Sequence, residues 1–219
     1  MDFDSLLFLC VELVGTVAFS LSGTVVAIQK RLDLFGALVL GVVTAVGGGM
    51  LRDITLGLTP PSLFRHPVYV MTAAVTSLAF FWLCYFRGDS LEHVNRGAAG
   101  RLMLLMDSLG LGIFTVVGIN TAVSAGRGGN GFLCVTVGVL TGVGGGMLRD
   151  VLATRIPVIL HKHVYAVAAI AGGILYFHAR RWIPELPALL LGIGSIVCIR
   201  LCASHFKWDL PRIPASDKK

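Results

Sequence analysis

The stretch Gly47–Asp53, with the sequence GGGMLRD, occurs a second time, letter for letter, at Gly144–Asp150. Both copies lie inside long apolar runs, where three consecutive glycines weaken a helix and an Arg-Asp pair follows them. A glycine in a helix interior costs about 1 kcal/mol, and a charge at the centre of a bilayer costs about 3 kcal/mol or more. A chain that carries both costs at two equivalent places is predicted to build a polar path through a membrane.

The composition points the same way. Of the 219 residues, 55% are hydrophobic and 14% are charged, whereas soluble domains carry about 25% charged residues. A polytopic membrane protein is therefore favoured over a soluble domain. The net charge of +6 comes from basic residues in short segments between apolar runs, which is typical of membrane topology signals and not of a nucleic-acid-binding face. We expect no nucleic-acid partner.

Seven apolar segments approach the length of about 20 residues that a transmembrane helix needs. They cover 5–28, 34–57, 67–86, 102–124, 131–152, 164–180 and 187–204. An odd number of spans places the two termini on opposite sides of the membrane. The segments on the N-terminal side then carry four lysine and arginine residues and those on the other side carry eleven. This imbalance predicts an external N-terminus and a cytoplasmic C-terminus.

The doubled motif belongs to an internal repeat. Its two copies are 97 residues apart, and a second pattern upstream of them recurs at an offset of 95. In that pattern Glu12, Gly15, Phe19 and Gly23 match Asp107, Gly110, Phe114 and Gly118. Each repeat holds three spans, so the second repeat enters the membrane from the opposite side. The sequence therefore predicts an inverted-topology repeat.

The predicted fold is an all-α polytopic membrane protein with seven transmembrane helices, in which a 3+3 inverted repeat is followed by a seventh helix. The chain divides into a first repeat at 1–86, a linker at 87–100, a second repeat at 101–181, a seventh transmembrane helix at 182–206 and a cytoplasmic tail at 207–219. The triple glycines predict a kink or a break in helices 2 and 5, whose freed backbone groups would line a cavity or be buried in protein. Close helix packing, which small residues permit, is the alternative explanation.

Charged residues at membrane depth predict two paired centres. Neighbouring residues on a helix point about 100° apart, so Arg52 and Asp53 need not pair with each other. The repeat instead suggests two symmetry-related ion pairs, Glu12–Arg52 and Asp107–Arg149, on either side of a central constriction. The alternative is that these charges only hold helices together. With both Arg-Asp pairs counted, two arginines face four carboxylates, and a net negative path favours cations.

Several polar residues are weaker candidates. Thr44, Thr141 and Ser108 are candidates for polar pore lining, although hydroxyls in membrane helices commonly bond their own backbone. Lys30 and Arg31, between the first two spans, are candidate contacts for anionic lipid headgroups. The five cysteines show no metal-ligand spacing and no catalytic motif occurs in the sequence. Apart from a permeant cation and bound membrane lipid, we expect no metal, no cofactor and no enzymatic activity.

Two GGGxxRD motifs on the second and fifth of seven spans resemble the prokaryotic members of the trimeric intracellular cation (TRIC) channel family, over roughly residues 5–204. The resemblance implies a homotrimer in the plasma membrane of a prokaryote, with a separate pore in each protomer that conducts K⁺ and also Na⁺. It also implies that the repeated motifs form the pore and its gate. The residues concerned are Gly47, Gly48, Gly49, Arg52, Asp53, Gly144, Gly145, Gly146, Arg149 and Asp150.

Two alternatives stay open at this point. A secondary transporter of a small solute, such as the amino acid glycine, is one, because inverted repeats with broken helices also build transporters. A purely structural membrane protein is the other, and it leaves the duplicated charges at membrane depth unexplained.

Overall fold

The computed structural model describes residues 3–86, 96–161 and 164–208, and these residues form helices joined by short loops. The helices are α1 (Phe3–Gln29), α2 (Leu34–Leu56), α3 (Ser62–Arg65), α4 (Val68–Phe86), α5 (Arg96–Ala122), α6 (Gly131–Leu152), α7 (Val158–His161), α8 (Val164–Ala179) and α9 (Glu185–His205). A π-helical turn, Val123–Arg127, extends α5. The predicted all-α membrane fold is confirmed.

Seven of these helices correspond to the predicted spans: α1, α2, α4, α5, α6, α8 and α9. Six of them are long and apolar enough to cross a bilayer, and α8, with 16 residues, is shorter. Local capping sets where the two motif-bearing helices begin. The side chain of Asp33 accepts a hydrogen bond from the Gly36 amide at 2.7 Å, and that of Asn130 accepts one from the Leu133 amide at 3.0 Å. Both caps satisfy amides that the first turn of a helix leaves unpaired.

The connections differ from the sequence-based prediction in two respects. α5 begins at Arg96, so the last part of the predicted linker, 96–100, is helical. The short helices α3 and α7, each of four residues, follow the ends of α2 and α6 and have no counterpart in the prediction. Residues 87–95 of the predicted linker and 209–219 of the predicted tail lie outside the described residues.

The predicted break in helices 2 and 5 is wrong, because α2 and α6 run without interruption through their triple glycines. The glycines serve helix packing instead. A Cβ atom on Gly48 would overlap the carbonyl oxygen of Thr141, and one on Gly145 would overlap the carbonyl oxygen of Thr44. The two helices therefore touch backbone to backbone, which only small residues allow. A bend within the continuous helices stays a prediction.

These contacts are reciprocal, as an inverted repeat requires. Gly48 of α2 contacts Thr141 of α6, and Gly145 of α6 contacts Thr44 of α2, which is the repeat equivalent of Thr141. The ring of Phe19 likewise lies against Gly110, while that of Phe114 lies against Gly15. The two rings contact each other with centroids 5.2 Å apart. A pseudo-two-fold axis thus passes between α2 and α6 and between α1 and α5. The residue boundaries of the two halves stay a prediction.

α4 shows how the outer helices meet the lipid. Its buried residues are Ala73 and Ser77, and the rest of this strongly apolar helix is partly or fully exposed. A helix that is apolar on all sides is suited to a hydrocarbon environment. Polar contacts attach it to the bundle. The hydroxyl of Ser20 donates to the Ala73 carbonyl at 2.7 Å, and Ser77 donates to the Ala37 carbonyl at 2.9 Å.

Candidate functional site

The charged residues of the two repeats lie near opposite ends of the bundle. Seven crossings place the start of α1 and the end of α9 on opposite sides, which we name the N-side and the C-side. Glu12 and the first Arg-Asp pair belong to the N-side half. Asp107 and the second pair, Arg149–Asp150, belong to the C-side half. We call these two groups the N-side centre and the C-side centre.

Each motif arginine binds the aspartate that follows it. Arg52 Nε donates to Asp53 Oδ1 at 2.8 Å, and Arg149 Nε donates to Asp150 Oδ1 at 2.9 Å. The expectation that adjacent residues need not pair is therefore corrected. The angle between neighbouring Cβ directions does not prevent the pairing, because the long arginine side chain can bend back to its neighbour.

The short helices α3 and α7 explain why these aspartates are held in place. Asp53 Oδ2 accepts a hydrogen bond from the backbone amide of Ser62 at 2.6 Å, and Asp150 Oδ2 accepts one from the amide of Val158 at 3.0 Å. Ser62 and Val158 are the first residues of α3 and α7. Each carboxylate thus caps a short helix and neutralises an arginine at the same time.

The N-side centre is not built as predicted. Glu12 accepts a hydrogen bond from the hydroxyl of Tyr69, and Arg52 Nη2 donates to Ser62 Oγ at 3.0 Å. Within the described ranges no ion pair joins Glu12 to Arg52, so the predicted direct pair is wrong. The carboxylate of Glu12 is hydrogen-bonded to Tyr69, and the guanidinium of Arg52 is bonded to Asp53 and Ser62. A gap therefore separates the two charged groups.

A cavity fills that gap. Its lining includes Glu12, Arg52, Tyr69, Gly49 and the ring of Phe114. It offers about 30 Å³, enough to hold a water molecule or two. The cavity therefore holds polar and charged groups next to space that water or a small ion can occupy.

A wider vestibule lies beside this cavity on the N-side. It has a volume of about 750 Å³ and shares Glu12 and Tyr69 with the cavity. Its other polar lining residues are His66, Asn120, Ser124, Arg180 and Glu185. The two neighbouring pockets thus place polar groups from the N-side as far as Phe114, which lines the inner one.

Beyond Phe114 the bundle is closed by helix packing. The Phe19–Phe114 ring pair and the contact of α2 with α6 at their glycines occupy the centre of the bundle. Thr44 and Thr141 are fully buried there, and each donates to a carbonyl of its own helix at 2.6 Å. Their pore-lining role stays a prediction, since both hydroxyls bond the backbone in this structure.

The C-side centre contains the predicted ion pair and an additional arginine. Arg149 is completely buried, and its Nη1 lies 2.6 Å from both Asp107 Oδ1 and Ser22 Oγ. The second oxygen of Asp107 lies 3.4 Å from Nη2 of Arg200, which belongs to α9. The guanidinium of Arg200 also stacks over the ring of Tyr165, 4.3 Å from its centroid.

Arg200 is the functional candidate that sequence reasoning missed. A signal for it exists, because an isolated arginine within an apolar span is rare and commonly functional. It has no counterpart in the repeat, so the comparison of the two halves does not reveal it. Of the remaining candidates, Ser108 is buried among the helices, while Lys30 and Arg31 are exposed on the C-side.

Comparison with known proteins fits this geometry. A family model described as "Glycine transporter" matches residues 9–85 and 104–181, so it covers both repeats and more than half of the chain. The UPF0126 inner membrane protein YadS of Escherichia coli K12 is 39% identical over 204 residues, which are 91% of this chain and 93% of YadS. A solved TRIC cation channel is 35% identical, covers 99% of both chains and superposes with a TM-score of 0.78. The chain belongs to the prokaryotic TRIC family.

A second solved TRIC protein supports this assignment. The TRIC orthologue from Rhodobacter sphaeroides is 29% identical, with 92% of this chain and 99% of that chain covered, and gives a TM-score of 0.82. The TRIC fold is therefore shared along the whole length of the described helices, including α9.

Proposed function

We propose that this protein is a monovalent cation channel, permeable to K⁺ and also to Na⁺, with one pore through each protomer. The observation that carries the proposal is the carboxylate of Glu12, which borders both N-side pockets, while the nearby Arg52 is already neutralised by its ion pair with Asp53. A polar path with an excess of negative charge attracts cations and repels anions. The relatives of known structure are described as cation channels, which supports the same function here.

The gate in this proposal lies at the two GGGMLRD motifs. The pore and gate residues of the motifs act together: the glycines hold α2 against α6 and close the path, and the Arg-Asp pairs tie each helix to a short helix at its end. A small separation of α2 from α6 would join the N-side cavity to the C-side centre. Packed interfaces of this kind change between discrete arrangements more readily than they deform continuously.

The proposal includes a membrane and an assembly. We place the protein in the cytoplasmic membrane of a prokaryote, with the N-terminus outside and the C-terminus inside, because the basic residues outside the spans concentrate on the C-side. Lys30 and Arg31 then face the anionic headgroups of the inner leaflet. A homotrimer is the proposed assembly, since the Rhodobacter sphaeroides relative is described as a trimeric channel orthologue.

Planar-bilayer recording of the purified protein in a K⁺ gradient tests the channel. Discrete currents that reverse near the K⁺ equilibrium potential are expected. Glu12→Gln should lower the K⁺ conductance several-fold, because it removes a negative charge beside the narrow cavity. Glu185→Gln is the matched control. It removes the same charge from the wide vestibule, where water and salt screen it, and should have a smaller effect. Silent bilayers or anion-selective currents would contradict the proposal.

A small-solute transporter is the second candidate, and one feature favours it. The vestibule presents both signs of charge, since Arg180 lines it together with Glu12 and Glu185, and a zwitterion such as glycine needs both. The description of the matched family model is consistent with this function. Saturable uptake of radiolabelled glycine into liposomes, together with silence in the bilayer, would favour the transporter. Currents without saturable uptake would favour the channel.

A further inference from the structure

The seventh transmembrane helix breaks the symmetry of the two charged centres. In each centre one motif arginine faces two carboxylates, which gives a formal charge of −1. On the N-side this charge borders a cavity. On the C-side the side chain of Arg200 enters the centre from α9, adds one positive charge and brings the formal total to zero. The guanidinium of Arg200 therefore stands beside the C-side carboxylate, whereas the N-side carboxylate borders an open cavity.

Arg200 is held less tightly than Arg149, although both contact Asp107. The Arg149 Nη1–Asp107 Oδ1 distance is 2.6 Å, typical of a strong charge-assisted hydrogen bond, whereas Arg200 Nη2 lies 3.4 Å from Asp107 Oδ2. Each guanidinium also has one buried nitrogen without a hydrogen-bond partner among the described residues, Arg200 Nε and Arg149 Nη2. Within the described part of the chain, the charged and aromatic partners of the Arg200 guanidinium are thus Asp107, at the end of a long ion pair, and the ring of Tyr165.

The groups around Arg200 form a site that suits a monovalent cation. The hydroxyl of Tyr165 is buried and has no hydrogen-bond partner within the described part of the chain. A Cβ atom on Gly146 would lie 3.1 Å from this hydroxyl and 3.5 Å from Asp107 Oδ1, so the two oxygens border the same space. A carboxylate, a phenol oxygen and an aromatic face are all ligands that attract cations.

A route out of the site exists for the arginine side chain. A C-side cavity of about 260 Å³ is lined by Arg200 together with Leu104, Val164, Ser204 and Lys207. A rotation of the Arg200 side chain into this cavity would move its charge toward water and vacate the space beside Asp107. Long basic side chains commonly extend toward the membrane surface in this way.

We propose that Asp107 and Tyr165 form a second cation site in the pathway, and that Arg200 is a tethered cation which occupies this site when the channel is closed. A K⁺ ion replaces the guanidinium when the side chain withdraws to the C-side. The inference rests on the proposed channel function. It adds a residue of α9, outside both repeats, that controls access to the pathway from the C-side.

Two Arg200 variants test the proposal in the bilayer. Arg200→Gln should raise K⁺ conductance or open probability, because the site then regains its negative charge and the local cation concentration rises about tenfold. Arg200→Met keeps much of the apolar stem without the charge and should act in the same direction. Arg200→Lys retains a tethered cation and should stay close to the parent protein. Arg181→Gln is the matched control and should have no effect, because Arg181 is exposed in the turn that follows α8.

A structural measurement tests the site independently of conduction. Crystals of Arg200→Gln or Arg200→Met grown in RbCl should show anomalous density beside Asp107, and crystals of the parent protein should not. Folded variants that conduct like the parent protein and show no Rb⁺ beside Asp107 would overturn the proposal. A parent protein that does not conduct at all, with Rb⁺ still bound in the variants, would instead count against the channel function and leave the cation site supported.

Discussion

The contact of α2 with α6 at their glycines yields a quantitative prediction for Gly48→Ala. The new Cβ would approach the carbonyl oxygen of Thr141 more than 1 Å closer than the 3.4 Å of an ordinary contact. Because the obstructing atom is backbone, the helices must move apart. Forced overpacking costs about 1–3 kcal/mol, and a rigid backbone neighbour places the cost in the upper half of that range. Alanine regains about 1 kcal/mol of helix propensity, so a net loss of about 1–2 kcal/mol is expected.

The adjacent glycine provides the matched control. A Cβ on Gly49 would meet only Arg52 Nη2, at the ordinary contact distance of 3.8 Å. Gly49→Ala should therefore stabilise the fold by up to about 1 kcal/mol. The two variants should differ by about 2–12 °C in Tm, at about 2–4 °C per kcal/mol for a chain of this size. Thermal unfolding in detergent, followed by circular dichroism, measures this difference. Equal Tm values for the two variants would refute the argument that the glycines exist for helix contact.

Two further predictions concern stability. Asp107→Asn should cost about 3–5 kcal/mol, because two buried arginines, Arg149 and Arg200, lose a carboxylate partner. Glu12→Gln, whose carboxylate borders a cavity, should cost about 1 kcal/mol. Chemical denaturation in detergent compares them, and equal losses would contradict the asymmetry of the two centres. Ser77→Ala should cost about 0.6–1.7 kcal/mol, since Ser77 bonds Thr24 and a carbonyl of α2 inside the bundle. Its replacement by threonine, which keeps a hydroxyl, separates loss of the bond from loss of packing in the same assay.

The sequence predicted the spans well because their signal is local. Six of the seven apolar runs form helices long enough to cross a bilayer, and the capping residues Asp33 and Asn130 stand directly before the helices they start. The short helices α3 and α7 were harder to predict, since four residues give no periodic pattern. Their positions depend on the carboxylates of Asp53 and Asp150, which reach them from the preceding helix.

Prediction of the charged centres succeeded only in part. The repeat predicted an ion pair between Asp107 and Arg149, and in the structure Arg149 Nη1 lies 2.6 Å from Asp107 Oδ1. The equivalent pairing of Glu12 with Arg52 was wrong. Tyr69 instead donates a hydrogen bond to the carboxylate of Glu12, and Arg52 donates one to Ser62. The two centres share a pattern of residue types but differ in side-chain length, glutamate against aspartate, and in the presence of α9. Pattern matching cannot detect a partner that comes from outside the repeat.

The sequence by itself determined the number of helices that cross the membrane, the inverted repeat and the depth of its charges, because hydrophobic length and letter-for-letter duplication are properties of the chain alone. The tertiary structure decided what the duplicated residues do. The sequence leaves two roles open for the glycines: they could break a helix, or they could allow another helix to pack closely. In the structure they allow close packing, because α2 and α6 meet at Gly48 and Gly145. The C-side centre likewise depends on Ser22 and Arg149, which are 127 residues apart and meet only in the folded bundle. Buried polar groups bind the partner that helix packing brings within about 3 Å. No local sequence pattern specifies which groups come that close.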